Sequence, residues 1–518
     1  MLSFALALLG TIIFSFVPER FLQPHAAKTS AFTLLLQSLL VSLLFLILTL
    51  IVQRPIFSGI AIIVFLFILV IVSNAKYTAL REPMVFSDIA MFSQAFKHPR
   101  LYFPFLGLAP VILGPIIIIG LIVTVLSLEP ALSFTWQRIS ATLITIIVVW
   151  FSIKQLALKP KLTLVPENDN AQLGLFNTLW CYGFQANTAQ HKKSVEHAIK
   201  SSPFFTSPDS TTATRTEKTI NEHQRNITVI QSESFFDARR LHPNIKHSVL
   251  KHFDQAKNES FAHGKLKIPA WGANTMRSEF AFLTGLTGSS IGFYQFYPYH
   301  YLSKIPLFSI ASALQEQGYY CICIHPHHAS FFGRDNIFPK MGFDEFIDIE
   351  SFDQSETFGP YISDQAVTDK IIEITQQITD KPLFIFAITM ENHGPLHLEK
   401  VKKEELSTYY TNENNADISN ETLQGLDDLT VYLRHLKNAD NMIQQLTTFY
   451  TAQQSDNKKE ALLCFYGDHV PSMPTVYEST EYADDSSDYF IWGSKLQNYK
   501  EAHHLEIESL AEKLLQHS

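Results

Sequence analysis

Residues 461–469 read Ala461-Leu462-Leu463-Cys464-Phe465-Tyr466-Gly467-Asp468-His469. The six apolar residues are far too few to cross a membrane, and they fit a strand buried on both faces. The polar triplet that follows allows a tight turn at Gly467 and aims a carboxylate and an imidazole from the end of the strand. Outward from this stretch the pattern repeats. Ile227–Gln231, Tyr319–Ile324, Leu383–Met390 and Tyr489–Trp492 are further strand candidates. Amphipathic segments at Pro306–Gln317, Ser363–Thr379, Leu426–Tyr450 and Ile507–Leu515 read as helices between them. Such alternation predicts a largely parallel sheet covered by helices on both faces. Ligands of such sheets bind beyond the carboxyl ends of the strands.

The residues just after the strands are therefore the first to read. They are Ser232-Glu233-Ser234, His325-Pro326-His327-His328, Glu391-Asn392-His393-Gly394-Pro395 and Asp468-His469. Four such ends gathered on one sheet edge make a charged pocket that is costly unless a cation or substrate sits there. Glu233, Asp468 and His469 supply two carboxylates and one imidazole, a donor set for Mg2+, Mn2+ or Zn2+. Thr275 stands ahead of the apolar run Phe280–Leu286, where a helix amino end would stabilise an alkoxide or a phosphate. The same stretch also reads as a plain helix cap, with Thr275 or Asn274 capping and Ser278 or Glu279 closing a capping box. Arg334 can clamp a phosphate with two N–H groups, or pair with Asp335 or Asp344. His325 and His393 can donate to phosphate oxygens or protonate a leaving alcohol, whereas His327, His328 and His397 read as solvated.

The first 155 residues are of another kind. Five apolar stretches run Leu2–Val17, Ala31–Val52, Ile56–Val72, Phe103–Leu126 and Ile139–Ile153. A helical span needs about 20 such residues, and no small-residue cleavage site follows the first stretch, so five spans are expected. Leu173–Phe184 is aromatic-rich and too short to cross, which suits a helix lying in the membrane interface. Ser201–Glu222 is rich in Ser, Thr and Pro and reads as a flexible link. The expected division is residues 1–154 in the membrane, 155–225 as interfacial helix and linker, and 226–518 as the catalytic domain.

The net charge of −9 and pI of about 6.1 leave no basic footprint for nucleic acid. Of the four cysteines, Cys321, Cys323 and Cys464 lie in apolar runs and read as core thiols, and the spacing suits neither a disulfide framework nor a zinc site.

Taken in order, Gln231–Phe235, Asn274-Thr275 before a helix, Ser330–Asp335, Glu391–Pro395 and Gly467–His469 resemble the lipoteichoic acid synthase and phosphoglycerol transferase group. That group belongs to the alkaline phosphatase and sulfatase superfamily, and the likeness takes in the spans as well. It implies an α/β/α sandwich of that type behind an α-helical transmembrane domain. It implies one divalent ion, Mn2+ or Mg2+ with Zn2+ also compatible, held by Glu233, Thr275, Asp468 and His469. Thr275 would be the nucleophile, and His325, Arg334 and His393 would hold the glycerophosphate, with Phe332 at the position of a frequent aromatic. The implied donor is phosphatidylglycerol. The implied acceptor is an envelope glycan or polymer outside the cell membrane, and a periplasmic glucan or capsule fits as well as a teichoic acid. The loop cations Arg20, Lys28, Lys76, Arg81, Lys97 and Arg100 point the other way, placing the catalytic domain in the cytoplasm; the family topology is preferred.

Three rival enzymes share the superfamily. A sulfatase needs Cys or Ser at the nucleophile with Pro two and Arg four residues on, where this chain has Thr275, Arg277 and Glu279. A phosphoethanolamine transferase shares the threonine, but its disulfide-rich domain is not suggested by four scattered cysteines. A phosphodiesterase would use water as acceptor. A non-catalytic scaffold is the contrasting class, and the complete Glu, Thr, Asp, His set argues against it.

Overall fold

The computed structural model describes residues 2–25, 30–91, 114, 119–120, 122–133, 135–205, 224–411, 425–455, 460–495 and 501–517. It forms two compact units, Met1–Lys193 and Ser194–Ser518.

The first unit is helical: α1 (Leu2–Phe14), α2 (Ala31–Val52), α3 (Pro55–Leu80), α4 (Trp136–Ala157), α5 (Pro166–Leu173) and α6 (Leu175–Ala186). Among the described residues four helical segments are long and apolar enough to cross a membrane, at Ser3–Phe21, Ala31–Val52, Pro55–Leu80 and Trp136–Ala157. The expected span Phe103–Leu126 lies mostly outside the described residues. Pro55 opens α3, where its missing N–H costs nothing. The aromatic segment forms α6, entered through Gly174 at φ 79°. One of its faces, with Leu175, Phe176, Leu179 and Cys181, is buried in the helical core of this unit, so the segment packs as well as being aromatic. The stretch read as a flexible link falls largely outside the described residues.

The second unit is built on a nine-stranded sheet in the order β10-β2-β9-β8-β1-β7-β3-β4, with β11 also on β2. The strands are β1 (Asn226–Ser232), β2 (Ala262–Lys267), β3 (Tyr320–Ile324), β4 (Glu345–Ile347), β7 (Leu383–Ile388), β8 (Ala461–Gly467), β9 (Ser487–Gly493), β10 (Glu501–Ala502) and β11 (Leu505–Glu506). A separate hairpin pairs β5 (Thr357–Phe358) with β6 (Tyr361–Ile362). β8, β1, β7, β3 and β4 are parallel, as the alternation predicts. The other flank departs from it: β9 runs antiparallel to β8 and to β2. β2, in which only Ala262 and Leu266 are buried, lacks the continuous apolar run that marks a buried strand.

Two helices cover the central strands from opposite sides, following the period-two alternation of the strands. Helix α7 (Thr275–Thr284) lays Phe282 against Phe386 of β7 and Tyr466 of β8, with ring centroids 5.7 and 5.0 Å apart. Stacked pairs of this kind add about 0.5–1.5 kcal/mol each beyond burial. On the other face the long helix α9 (Leu426–Ser455) packs Leu429, Leu433 and Leu436 into a core with Ile230, Ile385 and Phe465. Helix α8 (Asp364–Gln377), capped by Ser363, fills the same layer.

Candidate metal centre and nucleophile

β1 and β8 are paired in register through Ser232 and Gly467, so the residues that follow them emerge side by side. Gly467 is required for close approach rather than for a left-handed turn: a Cβ there would overlap the Phe235 carbonyl oxygen. Ser234, by contrast, takes φ 56°, a strained value for a residue with a side chain. That turn is held from behind by Tyr432 of α9, whose hydroxyl donates to the Ser234 carbonyl at 2.7 Å.

The three ligand candidates converge here. One donor atom from each of Glu233, Asp468 and His469 lies within 4.8 Å of the others, and all three residues are buried. Every other polar atom of the three is engaged. Asp468 Oδ1 accepts from the Ser234 and His469 backbone N–H groups at 2.8 and 2.9 Å. Glu233 Oε1 accepts from the Ser234 hydroxyl at 3.0 Å. His469 Nδ1 donates to the Val470 carbonyl at 3.1 Å, which leaves Nε2 as a bare lone pair when the ring is neutral. Glu233 Oε2, Asp468 Oδ2 and His469 Nε2 remain buried with no hydrogen-bond partner among the described residues. Nε2 stands 3.4 Å from a Glu233 oxygen and 3.3 Å from an Asp468 oxygen. Orphaned buried groups of this kind are costly, and one cation at their focus satisfies all three. Burial, then the neighbouring Asp468 charge, pushes the Glu233 carboxyl up to about 8. A two-oxygen, one-nitrogen donor set with no thiolate therefore fits a divalent ion such as Mn2+, Mg2+ or Zn2+.

Thr275 is the first residue of α7, and Asn274 before it is left-handed with φ 68° and makes no side-chain cap. The capping box does not form. The Ser278 hydroxyl instead donates to the Asp468 carbonyl, and the Gly272 N–H donates to the Val470 carbonyl at 3.0 Å. The helix that begins at Thr275 is thus bonded on both sides of the Asp468-His469 turn.

Arg334 is 1% exposed and pairs with Glu279, which is fully buried, rather than with Asp335 or Asp344. Asp344 caps the Cys321 N–H instead. His325 donates through Nδ1 to the Ile388 carbonyl at 3.2 Å and accepts at Nε2 from Arg334 Nη1 at 3.2 Å. Both nitrogens are engaged, and burial together with the Arg334 charge holds the imidazole well below its usual range. A proton-donating His325 does not fit this arrangement. His393 donates through Nδ1 to the Gly394 carbonyl at 2.7 Å, and burial lowers it while the Asp468 charge acts in the opposite sense. His327 is half-buried; His328 and His397 are exposed.

The third strand-end carboxylate, Glu391, serves elsewhere. It accepts from His435 at 3.0 Å, Asn438 at 2.6 Å and the Asp364 N–H at 2.7 Å, and His435 reaches on to Glu399 at 2.8 Å. The parts played by Glu279, Tyr299 and His435 escaped the sequence reading, which took Glu279 only as a possible capping residue, because each acts through a partner distant in the chain. Glu279 alone had a signal, a carboxylate four residues after Thr275 in an otherwise apolar run.

Residues 225–517 match the family model "Sulfatase". The chain is 29% identical over 264 residues to a Rhizobium meliloti (strain 1021) protein named for cyclic beta-1,2-glucan modification, covering 51% of this chain and 38% of that one. It is 24% identical over 446 residues to the capsular polysaccharide biosynthesis protein RkpI of the same organism, covering 85% of this chain and 77% of that one. It thus spans well under half of the first relative and about three quarters of the second. Among solved structures, the integral membrane lipooligosaccharide phosphoethanolamine transferase A (EptA) of Neisseria meningitidis superposes with a TM-score of 0.54 at 13% identity, over 99% of this chain and 94% of that one.

Proposed function

Because this chain belongs to the sulfatase family, we propose that it transfers glycerophosphate from phosphatidylglycerol to a glycan or polyglycerophosphate acceptor outside the cell membrane, through a phospho-threonine at Thr275. The observation that carries the reading is the trio of orphaned atoms, Glu233 Oε2, Asp468 Oδ2 and His469 Nε2, beside the helix that Thr275 opens.

Glu233, Asp468 and His469 would hold the metal, with Thr275 completing the set. Such an ion lowers the pKa of a hydroxyl and offsets charge on phosphate oxygens. The chain's own residues do the rest. The Thr275 oxygen attacks phosphorus, the bond to the diacylglycerol oxygen breaks, and the glycerophosphate is left on Thr275. Arg334 stabilises the spread negative charge from the side. His393, with Nδ1 fixed on the Gly394 carbonyl, has Nε2 left to carry the proton that goes to the leaving diacylglycerol oxygen, while the Thr275 proton passes to solvent. An acceptor hydroxyl then enters by the reverse path, which gives overall retention at phosphorus.

The alternative is a phosphoethanolamine donor on the same machinery. The ordered motifs of the lipoteichoic acid synthase group favour phosphatidylglycerol, as do four buried cysteines that are all unpaired. A relative named for glucan modification and another for capsular polysaccharide support an envelope glycan as acceptor. The test is incubation of purified protein with labelled phosphatidylglycerol and Mn2+, scored as diacylglycerol release, with phosphatidylethanolamine in parallel. Metal-dependent release from phosphatidylglycerol alone is expected. Release only from phosphatidylethanolamine moves the reading to the alternative. Release from both that needs no acceptor points to a phosphodiesterase.

A further inference from the structure

Arg334 is an unusual phosphate ligand because the protein already occupies most of it. A guanidinium has five N–H donors. Nε–H donates to Glu279 at 3.0 and 3.2 Å, one Nη2–H donates to Glu279 Oε2 at 2.8 Å, and one Nη1–H donates to His325 Nε2 at 3.2 Å. Among the described residues, one N–H on each terminal nitrogen is left over. The guanidinium face lies on the Phe332 ring, 5.2 Å from its centroid, and Phe332 takes φ 57°. Glu279 is itself fixed, since Oε1 also accepts from the Tyr299 hydroxyl at 2.6 Å. Glu279 lies four residues after Thr275 on α7, about one helical turn away.

We propose that Glu279, Tyr299 and His325 are positioning residues that aim the two remaining N–H groups of Arg334 at the substrate phosphate, in a fixed relation to Thr275. The proposal rests on the phosphate-transfer reading of the site. It gives His325 a role other than contact with substrate. Its Nδ1–H is held by the Ile388 carbonyl and its Nε2 lone pair by Arg334, so the imidazole acts as a hydrogen-bond acceptor for the clamp. It also assigns Glu279 a purpose beyond neutralising a buried cation. The nucleophile's helix carries the carboxylate that grips the clamp, so nucleophile and clamp move as one body. A pre-set donor pair loses little freedom when phosphate arrives, and that raises affinity without a new contact.

The test uses the full chain in detergent, loaded with Mn2+, and inorganic phosphate as the probe, with phosphate and Mn2+ affinities measured separately by calorimetry. His325→Leu is expected to weaken phosphate binding roughly tenfold by removing the acceptor, and Tyr299→Phe about three- to tenfold. His325→Gln places an amide oxygen near the former Nε2 position and is expected to recover most of the loss. Mn2+ affinity should stay within about twofold throughout, because none of these groups bonds the ligand trio. Glu279→Gln is expected to weaken phosphate most, but it leaves a buried guanidinium half-paired and unfolding is a real outcome for it. The Tyr299 and His325 variants therefore decide the matter. A His325→Gln protein as weak as His325→Leu overturns the proposal, since the imidazole itself would then meet phosphate. Wild-type phosphate binding by Tyr299→Phe and His325→Leu overturns it too, since the clamp would need no positioning. A wild-type protein that binds Mn2+ but no phosphate overturns the transfer reading and this proposal together.

Discussion

The Ser278 hydroxyl donates to the backbone carbonyl of Asp468, joining the helix that opens at Thr275 to the turn that presents two of the three metal-ligand candidates. Both groups are buried, so no water replaces the bond if it is lost. Ser278→Ala is expected to cost on the order of 1–3 kcal/mol of stability, because the carbonyl is left unpaired. Turnover should fall about tenfold as Thr275 loses its register with the metal site. Thermal melts and diacylglycerol release measure the two effects; unchanged turnover in a destabilised protein would mean that the bond serves the fold alone.

Thr275 itself is only partly buried, and among the described residues no side-chain cap from Asn274 supports the helix start. Thr275→Ala is therefore expected to leave the melting temperature within a degree or two while turnover falls by about a thousandfold or more. Wild-type rates from this variant would remove Thr275 from the chemistry.

The metal-free site holds two carboxylates against one another. Glu233→Gln should abolish the Mn2+-induced rise in melting temperature and, above about pH 8 where Glu233 is ionised, stabilise the metal-free protein, since it removes a buried charge and its contact with Asp468. A variant that still gains stability from Mn2+ would place the ion elsewhere.

The pH dependence of that binding has a definite sign. The Glu233 carboxyl sits near 8 in the metal-free protein, raised first by burial and then by Asp468. The ion binds the ionised form, so Mn2+ affinity should rise with pH up to about 8 and level off above it, with proton release on binding below that pH. Calorimetry in buffers of different ionisation enthalpy counts the proton. A flat profile from pH 6 to 8 would contradict the assignment.

His435 titrates in the opposite chemical sense. Burial alone would lower it, but its bonds to Glu391 and Glu399 win and raise it from 6.5 to about 9. A raised folded-state pKa gives stability that is fully present below 6.5 and is lost as pH climbs through about 9. In the Mn2+-loaded protein the wild type should lose on the order of 1–3 kcal/mol across that window, and His435→Gln should not. Parallel pH curves for the two proteins would refute the role given to this network.

Much of this molecule was legible in one dimension because the signals are local. Runs such as Ala461–Tyr466 and Leu383–Met390 announce buried strands, and the apolar stretches Ala31–Val52 and Ile56–Val72 announce spans, since burial or bilayer leaves no room for polar residues. The strand-end rule singles out Glu233, Asp468 and His469 from the sequence alone. It could not separate them from Glu391, which sits at an equivalent strand end yet turns to His435 and Asn438. The antiparallel course of β9 was hidden because strand direction leaves no mark in a short apolar run, and β2 was hidden because it carries no such run. The pairing of Arg334 with Glu279 rather than with its sequence neighbours was likewise decided by folding. Composition and periodicity determine which residues are buried and what layers they build. Which buried charge meets which depends on contacts between segments far apart in the chain, and only the packed sheet and helices bring those segments together.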